Sequence, residues 1–122
     1  MFMTTDIAMT YDTTLCAVIV RFPDTVTEDQ MRKWVATLPG HLAVLEGNSS
    51  SMLLDTNRHQ FESMECLRLL RCALESAQVR KAIRRVAFVQ PESFRLPAVV
   101  SAEEAYFSTF QDACIALTND EW

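Results

Sequence analysis

Asp55, His59 and Ser63 stand four residues apart and are the residue types of a hydrolytic relay. In such a relay a hydroxyl attacks, an imidazole takes its proton and a carboxylate orients the imidazole. On one continuous helix the three would form a single stripe, but the helix here is expected to begin after Asn57. No glycine follows Gly47, so an oxyanion-binding loop is also missing. The plainer reading is a strand-end Asp, a loop His and a first-turn Ser.

A metal site would have to recruit His41, His59 and the cysteines Cys16, Cys66, Cys72 and Cys114. Structural zinc takes closely paired ligands, and no CxxC pair exists. Cys66 and Cys72 would differ by about 240° around a helix, facing different sides. The acid pairs Glu103-Glu104 and Asp120-Glu121 read as solvated faces, because nothing separates their environments into acid and base. Arg80, Lys81, Arg84 and Arg85 form a basic run able to hold a phosphate or an acidic partner. The bland alternative is a helix end followed by the start of a strand. Trp34, Phe61 and Met64 are candidates to line a small-ligand or lipid pocket, although such residues at helical spacing usually build core. No metal and no organic cofactor is implied.

The elements that must position these residues come from a chain of 122 residues, enough for one domain spanning 1–122. Hydrophobic residues make up 49% and charged ones 22%, which excludes a disordered tail or a fibre. Two glycines leave none for a glycine-cradled phosphate loop. The net charge of −5 argues against nucleic acid and against anionic membrane surfaces. The longest apolar run, Leu15 to Val20, is too short to insert stably in a membrane. The cysteines lie in apolar stretches and the N-terminal residues lack a signal pattern, so a reducing cytoplasm is expected.

Ile7, Met9 and Tyr11 alternate with Ala8 and Thr10, predicting an edge strand with its turn at Asp12 to Thr14. Leu15 to Phe22 is apolar on both faces, as in a strand covered on both sides. Thr25 or Thr27, with Glu28 or Gln30, predicts a capped helix with Met31, Trp34, Val35 and Leu38 inward, ending at Pro39-Gly40. His41 to Glu46 and Met52 to Asp55 read as strands. Asn57 and Gln60 then cap a long helix with Phe61, Met64, Leu67, Leu70, Leu74 and Ala77 on its inner face. Val86 to Val89 is a buried strand. After a short extended piece, Pro97 to Val100, the pattern allows a strand at Tyr106 to Phe110 followed by a helix. It equally allows one helix over Ala102 to Leu117.

Two architectures fit. One is an α/β domain with a mixed, mostly parallel sheet, in which Leu53 to Asp55 and Val86 to Val89 are central and joined by a helical crossover. The other is an α+β ferredoxin-like split βαβ, with His41 to Asp55 as an antiparallel hairpin.

The stretch "MLLDTNRHQFESMECLRLL" resembles the central segment of STAS domains, including anti-sigma-factor antagonists and uncharacterised bacterial STAS-like proteins. Asp55 matches that family's strand-end Asp, Phe61 its aromatic and Leu67 its first helix Leu. "RRVAFV" resembles the next core strand and "AYFSTFQDACIAL" the closing strand and helix. The resemblance implies the mixed-sheet architecture and a regulatory module that binds another protein. At the family's regulatory turn, Ser63 stands for its Asp, Met64 for its phosphorylated Ser, Glu65 for its Ser/Thr and Cys66 for its Gly. The phosphoacceptor hydroxyl is thus replaced, and Ser63 is a shifted candidate.

The first expectation is therefore a non-catalytic STAS-like module binding a protein partner through Asn57, Arg58, His59, Glu62, Ser63 and Glu65. The second is a small-ligand or lipid carrier with a pocket near Trp34, Phe61 and Met64. The third is a small enzyme on a ferredoxin-like fold. An open sheet edge near Ile7 leaves self-association by strand pairing as a further expectation.

Overall fold

The computed structural model describes residues 7–23, 25–43, 50–55, 60–89, 98–99, 104–107 and 109–119. Its elements, in order, are β1 (Ala8–Asp12), β2 (Ala17–Arg21), β3 (Thr25–Val26), α1 (Glu28–Ala43), β4 (Ser50–Asp55) and β5 (Gln60–Phe61). There follow α2 (Met64–Leu74), α3 (Ala77–Ala82), β6 (Ile83–Val89), β7 (Ala98–Val99), β8 (Glu104–Phe107) and α4 (Phe110–Asn119).

Strands rich in branched apolar residues on both faces must be covered on both sides, and the main sheet obeys this. Its order is β1-β2-β4-β6-β8-β7. Strands β2, β4, β6 and β8 run parallel, while β1 and β7 add antiparallel edges. Period-two alternation divides the apolar residues between two layers. Val18, Val20, Met52, Leu54 and Phe88 face α1, α2 and α3. Ala17, Ile19, Leu53, Ala87 and Val89 face α4 through Ala113 and Leu117. The domain is thus α/β with a mixed, mostly parallel sheet. The ferredoxin-like alternative fails because both sheet neighbours of β4 are parallel to it and 41–43 are helical.

The N-terminal hairpin matches the alternation. Its turn at 13–16 is braced by Asp12 Oδ1, which accepts the Leu15 N–H at 3.0 Å. Thr27 and Gln30 form the capping box of α1: Thr27 N–H donates to Gln30 Oε1 at 2.9 Å and Gln30 N–H to Thr27 Oγ1 at 3.1 Å.

Four expectations are corrected. Helix α1 passes through Pro39-Gly40 and continues to Ala43, so 41–43 are not strand; 44–46 lie outside the described residues. Leu42 is buried beside Leu38, one turn on, and that burial of roughly 1.5–3 kcal/mol offsets the lost hydrogen bond. The long helix begins at Met64, and Gln60 and Phe61 are strand. It also breaks after Leu74: Ser76 Oγ donates to Ala73 O at 2.8 Å and accepts the Val79 N–H at 3.4 Å, starting α3. The buried stripe is therefore Cys66, Leu70, Ala73 and Leu74, not the stripe running through Met64 and Leu67.

The C-terminal ambiguity resolves as strand plus helix. Glu104 lies in β8, and Thr109 Oγ1 accepts the Asp112 N–H at 3.0 Å near the start of α4. Strand β6 carries an irregularity: Ser50 pairs with Ile83 but Ser51 with Arg85, leaving Arg84 as an extra residue.

Proline and glycine inside α1 should be replaceable with gain. A β-carbon added at Gly40 would meet nothing within 4 Å, so Gly40→Ala should stabilise by about 0.5–1 kcal/mol. Pro39→Ala should add about 1–3 kcal/mol. Urea unfolding of both variants measures this, and a loss of stability would show that α1 is held by something other than its own backbone.

Candidate functional site

Parallel strands send their C-terminal ends, and the loops that follow, to one edge of the sheet. Arg21 ends β2 and Asp55 ends β4, and their side chains pair at 3.3 Å. The Arg21 guanidinium also lies 4.9 Å from the centre of the Phe110 ring.

Beyond that edge, β3 and β5 form a two-stranded parallel ribbon pairing Thr25 with Gln60 and Val26 with Phe61. The ribbon ties the loop after β2 to the loop after β4. The Val26 carbonyl accepts the Glu62 N–H at 2.8 Å and the Cys66 thiol at 3.6 Å, and Val26 and Cys66 are both fully buried. The consequence is that α1 and α2 start side by side.

Two adjacent helix N-termini put two partial positive charges together, a place that favours carboxylates. Glu28, Glu62 and Glu65 occupy it and cross between the helices. The Glu28 N–H donates to Glu62 Oε1 at 3.2 Å, so a residue leading into α2 caps α1. Reciprocally, Ser63 Oγ donates to Glu28 Oε2 at 2.7 Å. Ser63 occupies the cap position of α2 in extended backbone yet makes no side-chain cap to it, because its hydroxyl is engaged with Glu28. Arg32 lies 3.3 Å from Glu28 and 3.8 Å from Glu65, and Arg68 pairs with Glu65 through two guanidinium nitrogens. The hydrogen bond from Arg68 holds the Glu65 carboxyl below its usual pKa, and Glu65 raises that of Arg68.

Of the residues expected to bind a partner, Glu62, Ser63 and Glu65 are brought together here, whereas Asn57, Arg58 and His59 lie outside the described residues. The relay of Asp55, His59 and Ser63 is not assembled among the described residues: Asp55 pairs with Arg21 and Ser63 with Glu28. Met64 is 76% exposed, whereas Trp34 is buried on α1 with its ring 6.0 Å from that of Phe22. Phe61 contributes backbone to β5. Sequence periodicity misplaces Met64 because it starts the helix one turn too early. It gives no sign of Glu28 and Arg32 at the site, since both lie about thirty residues away in the chain. The separation of 35 residues between Glu28 and Ser63 is closed by the parallel pairing of β2 with β4 and by the ribbon beyond it.

The basic run is also divided. Arg80 and Lys81 lie in the last turn of α3, Arg85 is buried in β6, and Arg84 lines a cleft of about 40 Å³ with Arg71 and Arg80. Glu75 and Glu104 line the same cleft. Glu104 accepts both terminal nitrogens of Arg71, at 3.1 and 3.2 Å, and the Tyr106 hydroxyl at 3.1 Å. Burial first, then Glu104, raises the Tyr106 pKa. Acids of the chain itself thus stand where a bound phosphate would have to go.

No family model matches the sequence, and no curated protein matches it. Two solved structures resemble the chain over nearly its whole length. One is an uncharacterised DUF3478-family protein with a SpoIIAA-like fold from Shewanella loihica PV-4, at 16% identity and a TM-score of 0.63, covering 96% of this chain and 98% of that one. The other is an anti-sigma-factor antagonist (STAS) domain protein from Planctomyces limnophilus, at 17% identity and a TM-score of 0.60, covering 94% and 99%. The chain therefore has the SpoIIAA-like fold of STAS domains. Among the described residues, no helix is long and apolar enough to cross a membrane.

The clasp between the helices is testable in two ways. In a double-mutant cycle, Glu28→Ala and Ser63→Ala should show a coupling of about 0.5–1.5 kcal/mol in denaturant unfolding; additive effects would mean that the hydrogen bond contributes nothing. Because the folded-state pKa of Glu65 is lowered, its contribution is complete above the ordinary value of 4.5 and is lost as pH falls through the folded value. The stability difference between wild type and Glu65→Gln should be flat near neutrality and should close on acidification.

Proposed function

We propose that the chain is a non-catalytic STAS-like regulatory module that binds a protein partner on the N-terminal shoulder of α2. The observation that carries this reading is Met64, 76% exposed on the first residue of that helix, with Leu67 a turn further on at 37%. A flexible thioether standing on a braced helix start, ringed by Glu62, Glu65 and Arg68, has the form of an interface anchor. Its burial against a partner would contribute roughly 1.5–3 kcal/mol.

Phosphorylation does not suit this turn as the switch. The position matching the family's phosphoacceptor is Met64, which has no hydroxyl. The Ser63 hydroxyl already donates to one carboxylate and neighbours Glu62, so a phosphate there would meet like charge. Binding in this reading is constitutive or controlled by the partner. The free state of all four cysteines accords with a reducing compartment such as the cytoplasm.

Photo-crosslinking from position 64 in cells identifies the partner, and titration calorimetry then measures the complex. Met64→Lys and Glu65→Arg should each weaken it at least about tenfold, or 1.4 kcal/mol. Tyr11→Lys, on an exposed edge strand, should leave it unchanged. Unaltered affinity in both shoulder variants would sink the reading.

A further inference from the structure

Gln30, Lys33, Trp34, Thr37 and His41 recur every three or four residues and share one stripe of α1. With Ile7, which precedes β1, they line an open cavity of about 270 Å³. That approaches the size of a small-molecule site, which begins at about 300 Å³.

The chemistry of this lining is one-sided. Lys33 and His41 are both exposed, and neither belongs to an ion pair or hydrogen bond among the described residues. Among the described residues, no carboxylate lines the cavity. In a chain of net charge −5 this is unusual, and it contrasts with the arginine-lined cleft, where Glu75 and Glu104 are present. The Gln30 side-chain carbonyl accepts the Thr27 N–H, and the Thr37 hydroxyl donates to Trp34 O at 2.8 Å. The Trp34 ring, only 4% exposed, supplies an apolar floor together with Ile7, and among the described residues its buried Nε1–H has no acceptor.

The backbone adds a separate observation. Helix α1 continues through Pro39 and Gly40, two residues that disfavour a helix interior, and this extra turn carries His41 onto the stripe. A local rule broken at such a place is a pointer to function.

We propose that this cavity binds a small monocarboxylate with an apolar body. The carboxylate sits between Lys33 and His41, and the body lies over the Trp34 ring and Ile7. This site is separate from the partner-binding shoulder of α2 and stands or falls independently of it.

The test uses the full-length protein with ¹⁵N-labelled tryptophan. The chain has two tryptophans, so Trp122→Phe leaves the Trp34 indole N–H as the single indole signal. Benzoate and hexanoate are titrated, with benzamide as the neutral counterpart of benzoate and inorganic phosphate as an anion without an apolar body. At least one carboxylate should move the signal saturably, with a dissociation constant of about 1 mM or lower. Benzamide and phosphate should bind at least about tenfold more weakly than benzoate or hexanoate, respectively. Lys33→Met and His41→Gln, both at exposed positions, should each weaken carboxylate binding at least about threefold. The proposal is overturned by any of three results: no saturable shift with either carboxylate up to about 20 mM, equal binding of benzamide or phosphate, or unchanged affinity in Lys33→Met.

Discussion

Leu53 and Leu54 are neighbours in the chain, both fully buried, on opposite faces of the sheet. That constraint organises the molecule. A strand that is apolar on both sides needs a layer of helices above and below, and parallel neighbours need helical crossovers to reach them. Helices α1, α2 and α3 cover one face and α4 the other. Because β2 and β4 run the same way, the helices that follow them start at the same edge of the sheet. The crowding of two positive helix ends is therefore a consequence of the buried strand, and the acidic cluster at Glu28, Glu62 and Glu65 answers it.

The short ribbon of β3 and β5 turns this crowding into a defined surface. The Val26 carbonyl is buried, and its two donors come from both sides of Ser63. Leaving such a carbonyl unpaired would cost about 1–3 kcal/mol, so the start of α2 has little freedom to shift. Glu62 capping α1 and Glu28 holding Ser63 make the two helix starts mutually dependent. Met64 and Leu67 are exposed because Cys66 and Leu70 have been fixed inward by this arrangement.

The two faces of function proposed for this chain draw on different physics. On the shoulder of α2, apolar side chains stand out from a compensated set of charges, so affinity would come from burial and charge would govern orientation. In the cavity beside α1, Lys33 and His41 face no carboxylate among the described residues and the apolar part is recessed, so electrostatics would select the ligand. The cavity depends on α1 running past Pro39 and Gly40, which local propensity disfavours and the burial of Leu42 supports.

Much of the architecture is legible in the residues themselves. Leu15 to Phe22 announces a doubly covered strand, Met52 to Asp55 and Val86 to Val89 announce further strands, and Thr25 or Thr27 with Glu28 or Gln30 announces a capped helix start. The polar residues Glu62, Ser63 and Glu65 are legible as a cluster because they are local. What the sequence could not determine depends on competition between local and distant contacts. Pro39-Gly40 reads as a helix stop until the burial of Leu42 is included. Phe61 reads as helix until Val26, thirty-five residues earlier, draws its backbone into a ribbon. Glu28, Arg32 and the stripe from Lys33 to His41 acquire their roles only from tertiary structure, because a pattern along the chain records which face is apolar and carries no record of which polar groups the fold sets opposite one another.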